Sequence, residues 1–132
     1  KQVLSGLNAT LAQAKQENKI VYLLFTGSDW CPSCISLNNK VLQSAQWQQR
    51  VGDHVLIHIC DFPVQKNISP QDQAENNRLA KSFNVTSYPT QILLDPNGKI
   101  LDRRQGYSPG PITPYIDRVQ SFVPVDAPQN QQ

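Results

Sequence analysis

The sequence predicts an α/β domain in which a mixed β-sheet carries helices on both faces. Two apolar runs, residues 19–25 and 55–61, have the continuity of strands buried on both sides. Helical patterns separate them, as expected for a parallel β-α-β unit. A tight turn at residues 95–98 then joins two short strands into an antiparallel hairpin. We therefore expect residues 21–25 and 55–59 to be parallel neighbours, with neither strand at a water-facing edge, and residues 91–94 to pair with 99–103.

The first half of the chain alternates helical and strand patterns. Apolar residues at helical spacing predict an amphipathic helix that ends near residue 17, and residues 19–25 follow as a strand. Ser44 can cap a further short helix in which Trp47 packs into the core. The helical apolar positions are Leu4, Leu7, Leu11 and Ala14 in the first helix, and Ile35, Leu37, Val41 and Leu42 in the second.

The second half repeats the alternation and ends in a polar tail. Pro63 closes the strand over residues 55–61, and Ser69-Pro70 with Asp72 forms a helix start. That helix carries Ala74, Leu79, Ala80 and Phe83. After the hairpin, Thr113-Pro114 opens the last helix. We expect one domain over residues 1–122 and a flexible tail over 123–132.

Composition and charge exclude several classes of protein. The chain has 132 residues, of which 39% are hydrophobic and 17% charged, with a net charge of +2. This charge is too small to indicate a nucleic-acid partner, and no apolar stretch approaches a membrane span. The chain contains no Met, which is consistent with a mature form after signal-peptide removal. We therefore expect a monomer in the periplasm or another extracytoplasmic compartment.

The segment Trp30-Cys31-Pro32-Ser33-Cys34 directly follows the first strand and a short polar turn. Pro32 suits the first position of a helix, which places Cys31 at the N-cap. Backbone N–H groups and the helix dipole there favour a thiolate, so Cys31 should be an exposed nucleophile with a lowered pKa. Cys34, one turn later, could then attack a mixed disulfide on Cys31. The pattern predicts thiol–disulfide chemistry.

A zinc site and a purely structural disulfide are the two other interpretations of these cysteines. A zinc site would need further ligands, and no second Cys pair or His pair follows at the usual spacing. His54, His58 and Cys60 share one strand face and could join the pair only in a less favoured metal site. A purely structural disulfide would close a loop too small to constrain the unfolded chain much. We expect no metal or cofactor, and a buried, unpaired Cys60.

Over residues 4–122 the chain resembles the thioredoxin superfamily, through the tryptophan-led Cys pair after a buried strand, Pro89 ahead of a hairpin, and the closing helix. Residues 25–31 and 61–67 resemble the periplasmic DsbH-type oxidoreductases, and the C-terminal domain of the DsbD electron carriers is similar in outline. The resemblance implies a thioredoxin-like fold and a cis bond before Pro89. It also implies that Trp30, Pro32, Ser33, Tyr88 and Pro89 meet the substrate.

By the same resemblance, the partners are proteins with disulfides or thiols, and a membrane electron carrier of the DsbD type for re-reduction. Many thioredoxins carry a buried acid on the strand before the Cys pair, and residues 23–25 here contain none. Water or Asp29, expected to be solvated in the turn, could accept the proton of Cys34. We expect a reductant of substrate disulfides. A disulfide oxidase or isomerase, or a thioredoxin-like binding module without turnover, are the alternatives.

Overall fold

The structure is a computed structural model that describes residues 6–124. Within this part of the chain, a four-stranded mixed sheet in the order β2-β1-β3-β4 is covered by helices. The elements, in chain order, are α1 Gly6–Glu17, β1 Ile20–Thr26, α2 Pro32–Leu37, a π-helical turn Asn38–Leu42, α3 Ala45–Trp47, a second π-helical turn Gln48–Gly52, β2 Val55–Asp61, α4 Pro70–Ser82, β3 Thr90–Leu94, β4 Ile100–Gln105 and α5 Thr113–Gln120.

The strand pairings follow the predicted pattern. β1 and β2 are parallel in a register that runs from Ile20 opposite Val55 to Thr26 opposite Asp61. β1 also pairs antiparallel with β3, and β3 pairs antiparallel with β4. The turn between β3 and β4 is closed by the Asp95 N–H, which donates to the Lys99 carbonyl at 2.9 Å. The parallel pair and the hairpin are therefore confirmed.

The prediction that β2 is an interior strand is wrong. β1 uses both of its sides, for β2 and for β3, so β2 is left at the edge of the described sheet. Its residues Ile57 and Ile59 are 39% and 53% exposed. Of these two strands, only β1 has every side chain buried, as its continuous apolar run predicts. An apolar run therefore identified a strand here without identifying its neighbours.

The sheet divides the core into two clusters, because alternate residues of β1 point to opposite faces. Tyr22 and Leu24 lie in the cluster covered by α2, α3 and α5. Val21, Leu23 and Phe25 lie in the cluster covered by α1 and α4. Helices on both faces are thus confirmed. No helix within residues 6–124 combines the length and apolarity needed to cross a bilayer.

Local capping explains where the short helices begin. The Ser44 hydroxyl accepts the Trp47 N–H at 3.0 Å, and Trp47 is buried as predicted. Ser69 caps α4 in the same way. On α4 the buried position beside Leu79 is Asn76, while Ala74 faces solvent. Asn76 can be buried because its amide donates to the Asp61 carbonyl at 3.0 Å.

The start of the predicted domain and most of the predicted tail lie outside the described part of the chain. Leu4, expected on the first helix, lies outside it, as does the tail from residue 125 onward. Val123 was assigned to the tail, but it packs against the first core cluster. The packed part of the chain therefore extends past the end of α5 to Val123.

Candidate active site

The Cys pair opens α2 in the predicted manner. Cys31 is the N-cap, with extended backbone angles, and Pro32 occupies the first helical turn. The Cys34 N–H donates to Cys31 Sγ at 3.3 Å, and the Ser33 hydroxyl oxygen lies 3.6 Å from the same sulfur. Donors converge on one sulfur here because the first N–H groups of a helix have no partner within the helix. The site is built to hold a negative charge on Cys31.

The environment of Cys31 lowers its pKa below the ordinary thiol value. Burial opposes ionisation, but hydrogen bonds from Cys34 and Ser33 outweigh it. The residue is only 5% exposed, so the expected exposed nucleophile is in fact largely covered. The cover includes the Tyr88 carbonyl, 3.8 Å from Cys31 Sγ. The Tyr88 backbone therefore borders the sulfur that the sequence predicts to be the nucleophile.

Cys34 has the opposite properties. It is buried, and burial together with the neighbouring Cys31 raises its pKa to about 11. The Gly27 N–H donates to Cys34 Sγ at 3.4 Å, and this bond and the Thr26 side chain lower the pKa, but they only partly offset the burial. Both cysteines are free thiols in the structure. The geometry gives one thiol that ionises readily beside one that needs help to ionise.

The Tyr88–Pro89 segment lies against the Cys pair, and its peptide bond is cis. Pro89 is buried, and its carbonyl accepts the Gly106 N–H at 2.7 Å and the Gln91 side-chain amide at 3.2 Å. The Tyr88 ring packs edge-on against Trp30, with 5.8 Å between ring centroids. The backbone of this segment is held from behind while its front faces Cys31.

Trp30 forms part of the surface around the site rather than part of the core. It is 44% exposed, and its ring N–H donates to the Phe62 carbonyl at 2.8 Å. Gly27 makes room for this ring, because a Cβ at that position would overlap it. Pro32 is also exposed and Ser33 is half-buried. The structure thus places the seven predicted site residues close together, with Tyr88 in contact with both Cys31 and Trp30.

Asp29 does not fit the suggestion of a solvated acid that serves Cys34. Its carboxylate accepts three backbone N–H groups, from Val64 at 2.9 Å, Gln65 at 2.8 Å and Lys66 at 3.0 Å. These bonds lower the pKa of Asp29 below its ordinary value. The carboxylate therefore holds the segment that follows β2 against the turn before the Cys pair.

Three residues that the sequence interpretation missed lie near Cys34 or Pro89. Thr26 ends β1 beside Asp61, its register partner at the end of β2, and Gln91 supports Pro89. Their polar side chains are buried or nearly so. One signal was available, since the carboxyl ends of two parallel strands share one edge, where sites form. Gln91 carries no such signal.

Cys60 and the two histidines lie away from the Cys31/Cys34 pair. Cys60 is fully buried in the cluster below α1 and α4, as predicted, and burial raises its pKa to about 12. His58 Nδ1 lies 3.0 Å from the Thr10 hydroxyl, and His54 faces solvent. Within residues 6–124, no group of three or more His, Cys, Asp or Glu side chains could hold a metal ion.

Comparison with known sequences agrees with this geometry. A family model described as a thioredoxin-like domain matches residues 7–120. The disulfide bond reductase DsbH of Chlamydia pneumoniae is 38% identical over 114 residues, which cover 86% of this chain and 68% of that protein. The thiol:disulfide interchange protein DsbD of Haemophilus ducreyi is 32% identical over 85 residues, 64% of this chain but 13% of that protein.

Solved structures give the same result. A structure of a DsbH oxidoreductase superposes with a TM-score of 0.80 at 30% identity, covering 92% of this chain and 83% of that one. The oxidised C-terminal domain of Neisseria meningitidis DsbD superposes with a TM-score of 0.62 at 23% identity, covering 87% and 91%, which supports the fold alone. The chain belongs to the thioredoxin-like family and is a thiol–disulfide oxidoreductase.

Proposed function

We propose that this chain reduces disulfides of polypeptide substrates through Cys31 and Cys34. The Cys31 thiolate attacks one substrate sulfur, a mixed disulfide forms, and the other substrate sulfur leaves as a thiolate and takes up a proton. Cys34 then loses its proton and attacks Cys31 Sγ. The Cys31–Cys34 disulfide forms, the second substrate sulfur leaves, and two electrons have passed to the substrate.

One observation carries this proposal. Cys31 is the N-cap of α2, and its thiol has a lowered pKa. The backbone N–H of Cys34 donates to Cys31 Sγ at 3.3 Å. A thiolate is the attacking species in disulfide exchange, and a second thiol in the same helical turn can release the bound substrate. The similar Chlamydia protein is a disulfide bond reductase, which supports the reducing direction.

The substrate would lie across the surface formed by Trp30, Pro32, Ser33, Tyr88 and Pro89. The Tyr88 carbonyl borders Cys31 at 3.8 Å, so an extended chain beside it could pair with the Tyr88 backbone. Exposed Trp30 would cover apolar residues next to the substrate cysteine. This arrangement favours a disulfide within a polypeptide over a small disulfide.

The reaction consumes the dithiol, so a partner must restore it. We assign this step to a dithiol of a membrane electron carrier of the DsbD type, in the periplasm or another extracytoplasmic compartment. Sequence similarity to two DsbD proteins supports a link to such a carrier. We also propose that residues 1–122 form a single domain that acts as a monomer, which agrees with one sheet whose two core clusters lie on its opposite faces.

A second function uses the same residues. Hydrogen bonds that favour the Cys31 thiolate also stabilise the reduced state, which favours a disulfide oxidase or isomerase. A binding module without turnover is a third outcome of the same experiment.

The deciding measurement is the equilibrium potential of the Cys31/Cys34 pair against glutathione, together with turnover of a disulfide-bonded polypeptide. A reductant should lie nearer to about −270 mV, as thioredoxin does, than to about −120 mV, as DsbA does. A value near the latter would favour the oxidase. A protein that binds the polypeptide but leaves its disulfide intact, with or without Cys31→Ser, would be a binding module.

A further inference from the structure

A cavity of about 360 Å³ lies between α2 and the carboxyl ends of β1 and β2. Buried Cys34 lies at one part of its wall and Asp61 at another. Its other lining residues are Leu24, Thr26, Ser28, Ile35, Asn38, Asn39, Ile59 and Lys66. The volume is ample for several waters, and polar side chains are present to bind them. A proton could therefore move between these two residues without crossing the substrate surface.

Asp61 is held in a fixed place at this cavity. Its carboxylate accepts the Ser28 N–H at 2.9 Å and the Ser28 hydroxyl at 2.5 Å, and Lys66 Nζ lies 3.3 Å away. Its side chain is only 14% exposed. Its register partner on β1 is Thr26, which lines the cavity together with Cys34. Asp61 and Cys34 therefore both adjoin Thr26.

Few other groups could take a proton from Cys34. Cys31 is bonded to the substrate when Cys34 must ionise, and Tyr88, the other titratable side chain near Cys34, has a raised pKa from its burial. The Asp29 carboxylate already accepts hydrogen bonds from the backbone N–H groups of residues 64–66. Lys66 faces Asp61 as a cation. Beside Cys34, α2 adds only Ile35 to the cavity wall, and the π-helical turn after it adds only Asn38 and Asn39.

We propose that Asp61 is the proton acceptor for Cys34, acting through water in this cavity. The assignment rests on the proposed reductase cycle. In it, Asp61 takes the role of the buried acid that β1 lacks. The proton passes from Cys34 Sγ to a water, and that water gives a proton to the Asp61 carboxylate. The freed electron pair on Cys34 Sγ forms the bond to Cys31 Sγ, and the substrate sulfur leaves with the pair of the broken bond. Asp61 then releases its proton to solvent.

The test separates attack from resolution in one single-turnover experiment with Ellman's reagent. Attack by Cys31 releases the first thionitrobenzoate, and resolution by Cys34 releases the second. Asp61→Asn should slow the second release about 10²-fold near neutral pH, the size of a general-base contribution, and leave the first release unchanged. The second release should then rise tenfold per pH unit, because hydroxide replaces the carboxylate.

Control variants distinguish a proton acceptor from a structural contact. Asp61→Glu keeps a carboxylate and should recover most of the second release. Ser28→Ala removes one contact of Asp61 but keeps the carboxylate, so most of the second release should remain. Equal slowing of both releases in Asp61→Asn, or an unchanged second release, would overturn the assignment.

The native protein provides a test that needs no variant. Its second release should not be proportional to hydroxide concentration near neutral pH, because a carboxylate accepts the proton. A release proportional to hydroxide between about pH 5 and about pH 8 would contradict the role of Asp61, even if Asp61→Asn fails to fold. Loss of polypeptide reduction with an intact Asp61-dependent second release would instead refute only the proposed function.

Discussion

Cys31 and Cys34 lie within one helical turn, yet their ionisation differs because their surroundings differ. Cys31 caps the helix and receives hydrogen bonds from Cys34 and Ser33, so its pKa is lowered. Cys34 lies one turn further in, where burial raises its pKa to about 11. Over the range between these two values the pair carries a single negative charge, mostly on Cys31. The order of the two chemical steps follows from this difference.

Titration of Cys31 in Cys34→Ser should give a pKa below the ordinary thiol value, measured by thiolate absorbance. Because the folded pKa is lowered, the stabilisation that ionised Cys31 gives the reduced protein is present above the ordinary value. It is lost as pH falls through the lowered pKa.

The same variant should accumulate mixed disulfides with substrates on a non-reducing gel, because attack survives without resolution. Cys31→Ser, the matched control, should give no adducts and no reduction. An ordinary or raised Cys31 pKa with no adducts would favour the binding module.

At the scale of elements, the start of β3 is tied to α5 and to the end of β4 by one buried side chain. The Gln91 amide donates to the carbonyls of Pro89 and Gly106, and its carbonyl accepts the Tyr115 hydroxyl at 2.7 Å. Burial raises the pKa of Tyr115 to about 12, so this hydroxyl keeps its proton and can donate. Gln91 thus positions the backbone that faces Cys31.

Gln91→Leu should destabilise the protein by about 2 kcal/mol, because the Gly106 carbonyl loses this donor, the Pro89 carbonyl loses one of two, and the buried Tyr115 hydroxyl loses its acceptor. It should also raise KM for a polypeptide disulfide, since Pro89 is held less firmly. Tyr115→Phe, the control, removes one hydroxyl and leaves the bond to Pro89, so KM should stay unchanged. Urea unfolding and steady-state kinetics measure the two effects. An unchanged KM in Gln91→Leu would remove Gln91 from the site.

The segment after β2 depends on a different side chain. Asp29 binds the N–H groups of residues 64–66 as a carboxylate, and its pKa is lowered. This stabilisation is present above the ordinary carboxyl value and is lost as pH falls through the lowered pKa. NMR should therefore show the amide resonances of residues 64–66 shifting together in that acidic range.

Asp29→Asn is the matched control for this titration, because the amide cannot ionise. The common shift should disappear in that variant, and hydrogen-exchange protection of the three amides should fall at neutral pH. If the three amides keep their titration in Asp29→Asn, another acid holds the segment.

For the whole molecule, one isoleucine on β3 and one on β2 test where the core ends. Ile92 on β3 is fully buried, whereas Ile59 on the β2 edge is 53% exposed. Ile92→Ala should cost about 2–5 kcal/mol in urea unfolding, because it leaves a cavity. Ile59→Ala should cost below about 1 kcal/mol. Comparable losses in the two variants would mean that the β2 edge is covered in solution.

The features predicted from the sequence were those with local causes. The helix start at Cys31-Pro32 and the cap at Ser44 depend on neighbours a few positions away, and both are as predicted. The edge position of β2 depends on which strands flank β1, which an apolar run does not encode. The pairing of Thr26 with Asp61 likewise arises from sheet register, so the side chain proposed as proton acceptor could not be identified from its own surroundings in the sequence.

The contact between Tyr88 and Cys31 joins residues 57 positions apart, and it determines when the thiols become protected. During synthesis from the N-terminus, Cys31, Cys34 and Cys60 are made before Tyr88, the residue that shields Cys31. Until β3 docks, the three sulfurs can pair in three ways, and only one is useful. In an oxidising compartment such a chain depends on folding faster than it is oxidised, and Cys60 is the residue through which slow folding would leave a wrong crosslink.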